Sequence, residues 1–121
     1  MNANGNSNLA GAFFREIEVH NSRSSPFWLD HLQWMLDNEP QYTLELFRQK
    51  GLEKYLTHKV GQAQLAMVHL RERGLPRYKA EELVYLNIVS PPDGPALMSD
   101  NPPEPLPDHL ELKILDWAMN E

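Results

Sequence analysis

Five histidines and seventeen carboxylates are the side chains best able to do chemistry in this 121-residue chain, and their spacing assembles no reaction centre. His58 and His69 are eleven residues apart. On one helix they would project within about 20° of each other yet stand about 16 Å apart along the axis. Ligands of one zinc must each reach it at about 2.1 Å, so a shared ion would require a break at Gly61. His31 is adjacent to Asp30 rather than one turn away, and His20 and His109 fall near element ends. Surface and cap positions are the expectation for these histidines, and no metal site is expected.

Glu81, Glu82, Asp30 and Asp37 could act as acid and base only as a pair in a cleft with separated pKa values. Nothing in the spacing brings two together, so they read as solvated helix faces. The glycines (Gly5, Gly11, Gly51, Gly61, Gly74 and Gly94) are scattered, and neither phosphate-binding motif occurs. Ser24, Ser25 and Ser90 flank turns and caps rather than a nucleophile elbow. The chain has no cysteine, which removes disulfides, thiolate metal sites and a cysteine nucleophile. The expectation is a protein that is not an enzyme and carries no cofactor.

The charge pattern is more informative. Eight of the eleven Lys and Arg residues fall between Arg48 and Lys79, where only Glu53 and Glu72 oppose them. That window carries +6 and the remainder −12, which the net charge of −6 conceals. Segregated charge of this kind serves binding, to a partner or within the chain. Arg48, Lys50, Lys54, Lys59, Arg71 and Arg73 are the candidate partner-binding residues. Three destinations compete: the acidic remainder folding over the window, an acidic protein partner, and nucleic acid. The pI near 5.3 argues against general coating of nucleic acid. The expected function is a small interaction or regulatory module that binds a protein through a helical face. The alternative is a nucleic-acid-associated regulator using the Arg48–Lys79 surface, with the Gly74-Leu75-Pro76 corner giving a faint helix-turn-helix look. Against it, Glu81 and Glu82 stand where a base-reading helix would want donors. Arg77 or Lys79 is expected to pair with Glu81 or Glu82 on its own helix, leaving Lys54, Arg71 and Arg73 available.

The elements that must carry these residues are helical. Ser25-Pro26 is a cap followed by a first-turn proline, and Phe27–Asn38 is then apolar on more than one face. Pro40 opens a second helix and Gly51 ends it. Leu52, Leu56, Val60, Ala63, Met67 and Leu70 draw one stripe along a long helix that Gly74 closes. Lys54, His58, Gln62, His69 and Arg73 project opposite that stripe. Pro76 opens the next helix, with Ala80, Leu83, Val84 and Ile88 on its buried face. Seven of the ten prolines lie between Ser90 and Asp108, predicting an extended connector without helix or central strand. Its Pro102-Pro103-Glu104-Pro105 has PxxP spacing, but the acidic flanks favour a stiff linker. Asp108 and Glu111 resemble a capping box ahead of a last helix with Leu110, Ile114, Leu115 and Trp117.

These boundaries predict an all-α fold, a compact bundle of four to five helices with a Pro-rich extended connector before the last. Residues 1–8 read as disordered and 9–121 as a single helical domain, with a weak lean to helix over 9–20. The N-terminal stretch lacks the charged-then-apolar form of a signal peptide, and no run approaches a membrane span, so a cytoplasmic protein is expected. Phe27, Trp28 and Trp34 point to different sides of one helix. Covering all three predicts a symmetric homodimer contacting through them.

Overall fold

Prolines set the first boundaries of the structure, a computed structural model that describes residues 25–120. Ser25 stands in extended backbone, and its Oγ accepts a hydrogen bond from the Phe27 N–H at 3.3 Å. Helix α1 (Pro26–Asn38) therefore begins with a side-chain cap and a first-turn proline. Pro40 bars the residue before it from helical backbone, and Glu39 adopts φ −136°, ψ 54°. That single residue separates α1 from α2 (Pro40–Arg48). The Glu39 carbonyl then accepts from the Thr43 N–H at 2.9 Å and from its Oγ1 at 2.7 Å.

Helix α2 ends on Lys50, which takes the left-handed conformation at φ 62°. Its N–H reaches the Phe47 carbonyl at 3.1 Å, and the Gly51 N–H reaches that of Leu46 at 2.8 Å. These bonds satisfy the last carbonyls of the helix. The turn expected at Gly51 is thus made one residue earlier, and Gly51 instead caps α3 (Leu52–Glu72). A lysine in left-handed backbone is strained by about 1–2 kcal/mol relative to glycine, less what glycine loses in the unfolded chain. Lys50→Gly should therefore raise stability by about 0.5–1 kcal/mol. The check is a urea midpoint shifted upward at constant slope; a lower midpoint would show that the lysine side chain outweighs its backbone strain.

Gly74, at φ 93°, ends α3 with the same pair of bonds. Its N–H meets Arg71 O at 2.9 Å, and the Leu75 N–H meets Leu70 O at 3.2 Å. Helix α4 (Arg77–Val84) follows, and its end widens into a π-helical turn over Tyr85–Val89, closed by Ser90 N–H to Tyr85 O at 2.8 Å. The widening corrects the expected buried face. Ala80 and Val84 are buried four apart, but the next buried position is Val89, five on, while Ile88 is only half-buried. One inserted residue shifts the register that an unbroken α-helix would give.

The proline connector is not wholly extended: a short helix α5 (Pro95–Met98) forms inside it. Helix α6 (Asp108–Asn120) follows. The Pro107 carbonyl accepts from the Leu110 and Glu111 N–H groups, so Asp108 is the first helical residue rather than the cap.

Five longer helices and the short α5 make up the described residues, which contain no strand. Helix α1 is the centre and packs chiefly on α3. Trp28, Leu32 and Met35 are buried with Leu52, Leu56 and Val60 of α3, Val84 and Val89, Ile114 and Ala118 of α6, and Leu106 from the connector. Phe27 is also buried, so within one chain both Phe27 and Trp28 are already covered. The surplus that motivated a dimer contact at these two residues does not exist. Met67 and Leu70, at the far end of the α3 stripe, are half-buried. None of the helices among the described residues is long and apolar enough to cross a membrane. The expectations for residues 1–8 and 9–20 lie outside the described residues.

Candidate functional site

The six cations singled out in the sequence do not form one patch. Helix α3 spans about 30 Å, with Arg48, Lys50 and Lys54 at its N-terminal end and Arg71 and Arg73 at its C-terminal end. These five are exposed, and among the described residues none joins an ion pair. Lys59 lies between the two groups and is half-buried, its ammonium 6.0 Å from the centroid of the Tyr55 ring. Arg48 borders an open hollow of about 390 Å³ on the outer side of α2, lined also by Gln41, Leu44, Glu45 and Gln49.

The second group sits on the corner between α3 and α4. There the left-handed Gly74 turns the chain, and α4 starts with Arg77, Tyr78 and Lys79. Arg77 Nε lies 2.9 Å from Glu81 Oε1 and Lys79 Nζ 3.2 Å from Glu82 Oε2, the pairings expected from their spacing. Both cations are thus engaged along their own helix. Tyr78 is 75% exposed, which makes it the most exposed large apolar side chain of the described residues. Nothing in the sequence pattern marked it, since one tyrosine in a polar helix start has no periodicity to betray it.

A second constellation joins α1 to the connector. His31, Trp34 and Asn38 fall on one edge of α1, three and four residues apart. His31 Nδ1 is 2.9 Å from the Val89 carbonyl, Trp34 Nε1 donates to the Pro91 carbonyl at 2.9 Å, and Asn38 Oδ1 accepts from the Ala96 N–H at 2.8 Å. Trp34 therefore spends its polar atom within the chain, while its ring is half-buried. Gly94 lies beneath this edge, where a Cβ would fall 2.7 Å from Asn38 Cγ and 3.1 Å from Trp34 Cζ2. Only glycine lets the connector approach so closely.

His31 is buried, contrary to the surface or cap position expected of it. Its ring stacks between Trp34, at 5.6 Å between centroids, and Tyr55, at 6.3 Å. A carbonyl partner requires the hydrogen on Nδ1, so the imidazole is the neutral Nδ1–H tautomer, and Nε2 is buried with no partner among the described residues. Burial lowers its pKa below the ordinary 6.5; the Val89 bond opposes that, and Lys59 adds to it. A lowered histidine pKa means that the unfolded chain takes up the proton first. Stability contributed by neutral His31 is whole above about pH 6.5 and declines as pH falls from there through the lower native value. Urea titrations between about pH 7 and pH 5 should show this decline, and His31→Phe should flatten it. An unchanged slope in that variant would assign the decline elsewhere.

Nearby, Tyr85 donates to Asp30 Oδ2 at 2.6 Å. Burial and then this carboxylate hold its phenol above the ordinary range, so it stays protonated. Among the other described histidines, His58 lies beside Gln62 and His69 beside Glu72. Among the described residues no three His, Asp or Glu side chains converge as metal ligands. Comparison with protein-family profiles, curated proteins and solved structures yields no match to this chain.

Proposed function

We propose that this chain is a non-enzymatic interaction module that presents Arg71, Arg73 and Tyr78 at the α3–α4 corner to an acidic protein surface. The observation that carries the proposal is the corner itself, where Tyr78, 75% exposed, opens α4 five residues after Arg73, and where Arg71 and Arg73 are exposed and make no ion pair among the described residues. Tyrosine and arginine dominate binding hot spots, since each offers a large stiff surface with a polar end. Arginine adds a planar fork that matches a carboxylate in two hydrogen bonds.

Nucleic acid fits this surface less well. A phosphate backbone is held by many cations along its path, whereas the two basic groups stand about a helix length apart, near 30 Å. Behind Tyr78, Glu81 and Glu82 would face the phosphates. The test is a titration of labelled protein, followed by NMR, with a Glu- and Leu-containing peptide and separately with a duplex oligonucleotide. The peptide should shift the signals of Arg71, Arg73 and Tyr78, and Tyr78→Ala should weaken it about tenfold. Shifts from the duplex alone, lost steeply with salt, would transfer the function to nucleic acid. No shift from either removes the proposal.

A further inference from the structure

We propose that the acidic partner of this corner is a second copy of the same chain, docking through the outer face of α6. The inference rests on the proposed use of the corner and names what occupies it.

Helix α6 is apolar on two opposite sides. Ile114 and Ala118 face the core at 0% and 3% exposure, whereas Leu112 and Met119 are 64% and 70% exposed. Leu112 and Met119 are seven residues apart, nearly two full turns, so they share one side. Asp108 and Asp116 lie four residues before and after Leu112, on the same side and exposed. Lys113 stands at the margin of that face, about a quarter-turn from Leu112.

Tyr78, Met119 and Leu112 are the three most exposed large apolar side chains among the described residues. They fall on just two surfaces, and the surfaces carry opposite charge. One carries Arg71 and Arg73 with Glu72 between them; the other carries Asp108 and Asp116, whose Oδ1 also accepts from Asn120 Nδ2 at 2.7 Å. Exposed apolar groups ringed by charge mark interaction sites, and complementary charge fixes which surface meets which. Paired, they would set Tyr78 over Leu112 and Met119 and an arginine of the corner against an aspartate of α6.

They cannot meet within one chain. Helix α6 packs on α2 and, through the Trp28–Trp117 ring pair, on α1. The corner lies at the opposite end of α3 from the α2 junction. Between copies the contact is head-to-tail, which leaves each pair with one free surface at either end. Charge segregation in the sequence is then the imprint of two halves of one interface.

Analytical ultracentrifugation of the full chain at low salt and rising concentration tests this. The average mass should climb above the monomer's 14.0 kDa and fall back in about 0.5 M salt. Arg71→Ser with Arg73→Ser, and separately Leu112→Ser with Met119→Ser, should each weaken association about tenfold or more while melting like the parent. Mixed in equal amounts, the two variants should form a species of twice the monomer mass that does not grow, because each supplies one intact surface. A parent that stays monomeric overturns the inference; peptide-induced shifts at Arg71, Arg73 and Tyr78 would then still support the corner as a binding site. Self-association that survives both pairs of changes also overturns it, by placing the contact elsewhere.

Discussion

Leu56→Asp is expected to leave the chain largely unfolded at neutral pH. Leu56 is fully buried between α1 and α3. The change removes about 2–5 kcal/mol of packing and hydrophobic transfer. It then places an unpaired carboxylate where no water reaches, at a further cost of several kcal/mol. Small domains have only about 5–15 kcal/mol to lose. Far-ultraviolet circular dichroism at pH 7 should show the loss of helix, and acidification toward pH 4 should recover part of it as the aspartate becomes neutral. Met67→Asp, on the same stripe but half-buried, should lower the urea midpoint much less, because its carboxylate can reach water. Equal effects at the two sites would mean that the stripe is sealed along its whole length.

Trp28→Ala should cost about 3–5 kcal/mol. The indole has no exposure and packs at 5.7 Å between centroids against Trp117, which in turn meets Phe47 edge-on at 5.6 Å. Removing it opens a cavity at the junction of α1, α2 and α6, and three elements cannot all move in to fill it. The expected result is a melting temperature lowered by many degrees with the helical spectrum retained at low temperature. A loss below about 1 kcal/mol would show that Trp117 closes the gap.

The helix boundaries were legible because local chemistry writes them. Ser25-Pro26, Pro40 and Gly74 act on the two or three residues around them, and no tertiary contact overrides them. The long stripe through Leu52, Leu56, Val60 and Ala63 was legible because it repeats. What escaped has no period. The step from Val84 to Val89 adds one residue to the helix repeat, and it occurs where His31 engages the Val89 carbonyl from α1. Leu106 sits between Pro105 and Pro107 and is buried all the same, since an extended segment can lay one side chain on a core without any pattern. Lys50 took the left-handed position although glycine was its neighbour.

The candidate surface was half legible. Composition located the cations, and pair spacing anticipated the Arg77–Glu81 and Lys79–Glu82 bridges. Sequence windows, however, compress a helix about 30 Å long into a string of twenty-one letters, so two distant groups looked like one. Lys59 was counted among them, although it turns toward Tyr55. Phe27 and Trp28 misled for the opposite reason. A helix at the centre of a bundle is surrounded by neighbours on several sides, and apolar residues around its girth need no second chain.

The edge of His31, Trp34 and Asn38 also has a consequence for cooperativity. Its three hydrogen bonds join residues 58, 57 and 58 positions apart. Closing a flexible loop of that length costs about 3–4 kcal/mol in chain entropy, whereas one such bond returns only about 1 kcal/mol. No single bond can hold the loop shut. The packing of α1 through α4, which holds Val89 beside α1, must therefore share that cost. The bonds to Pro91 and Ala96 are made across a gap that this packing already closes. Trp34, whose indole nitrogen holds the Pro91 carbonyl, ties the two ends of the loop from the α1 side.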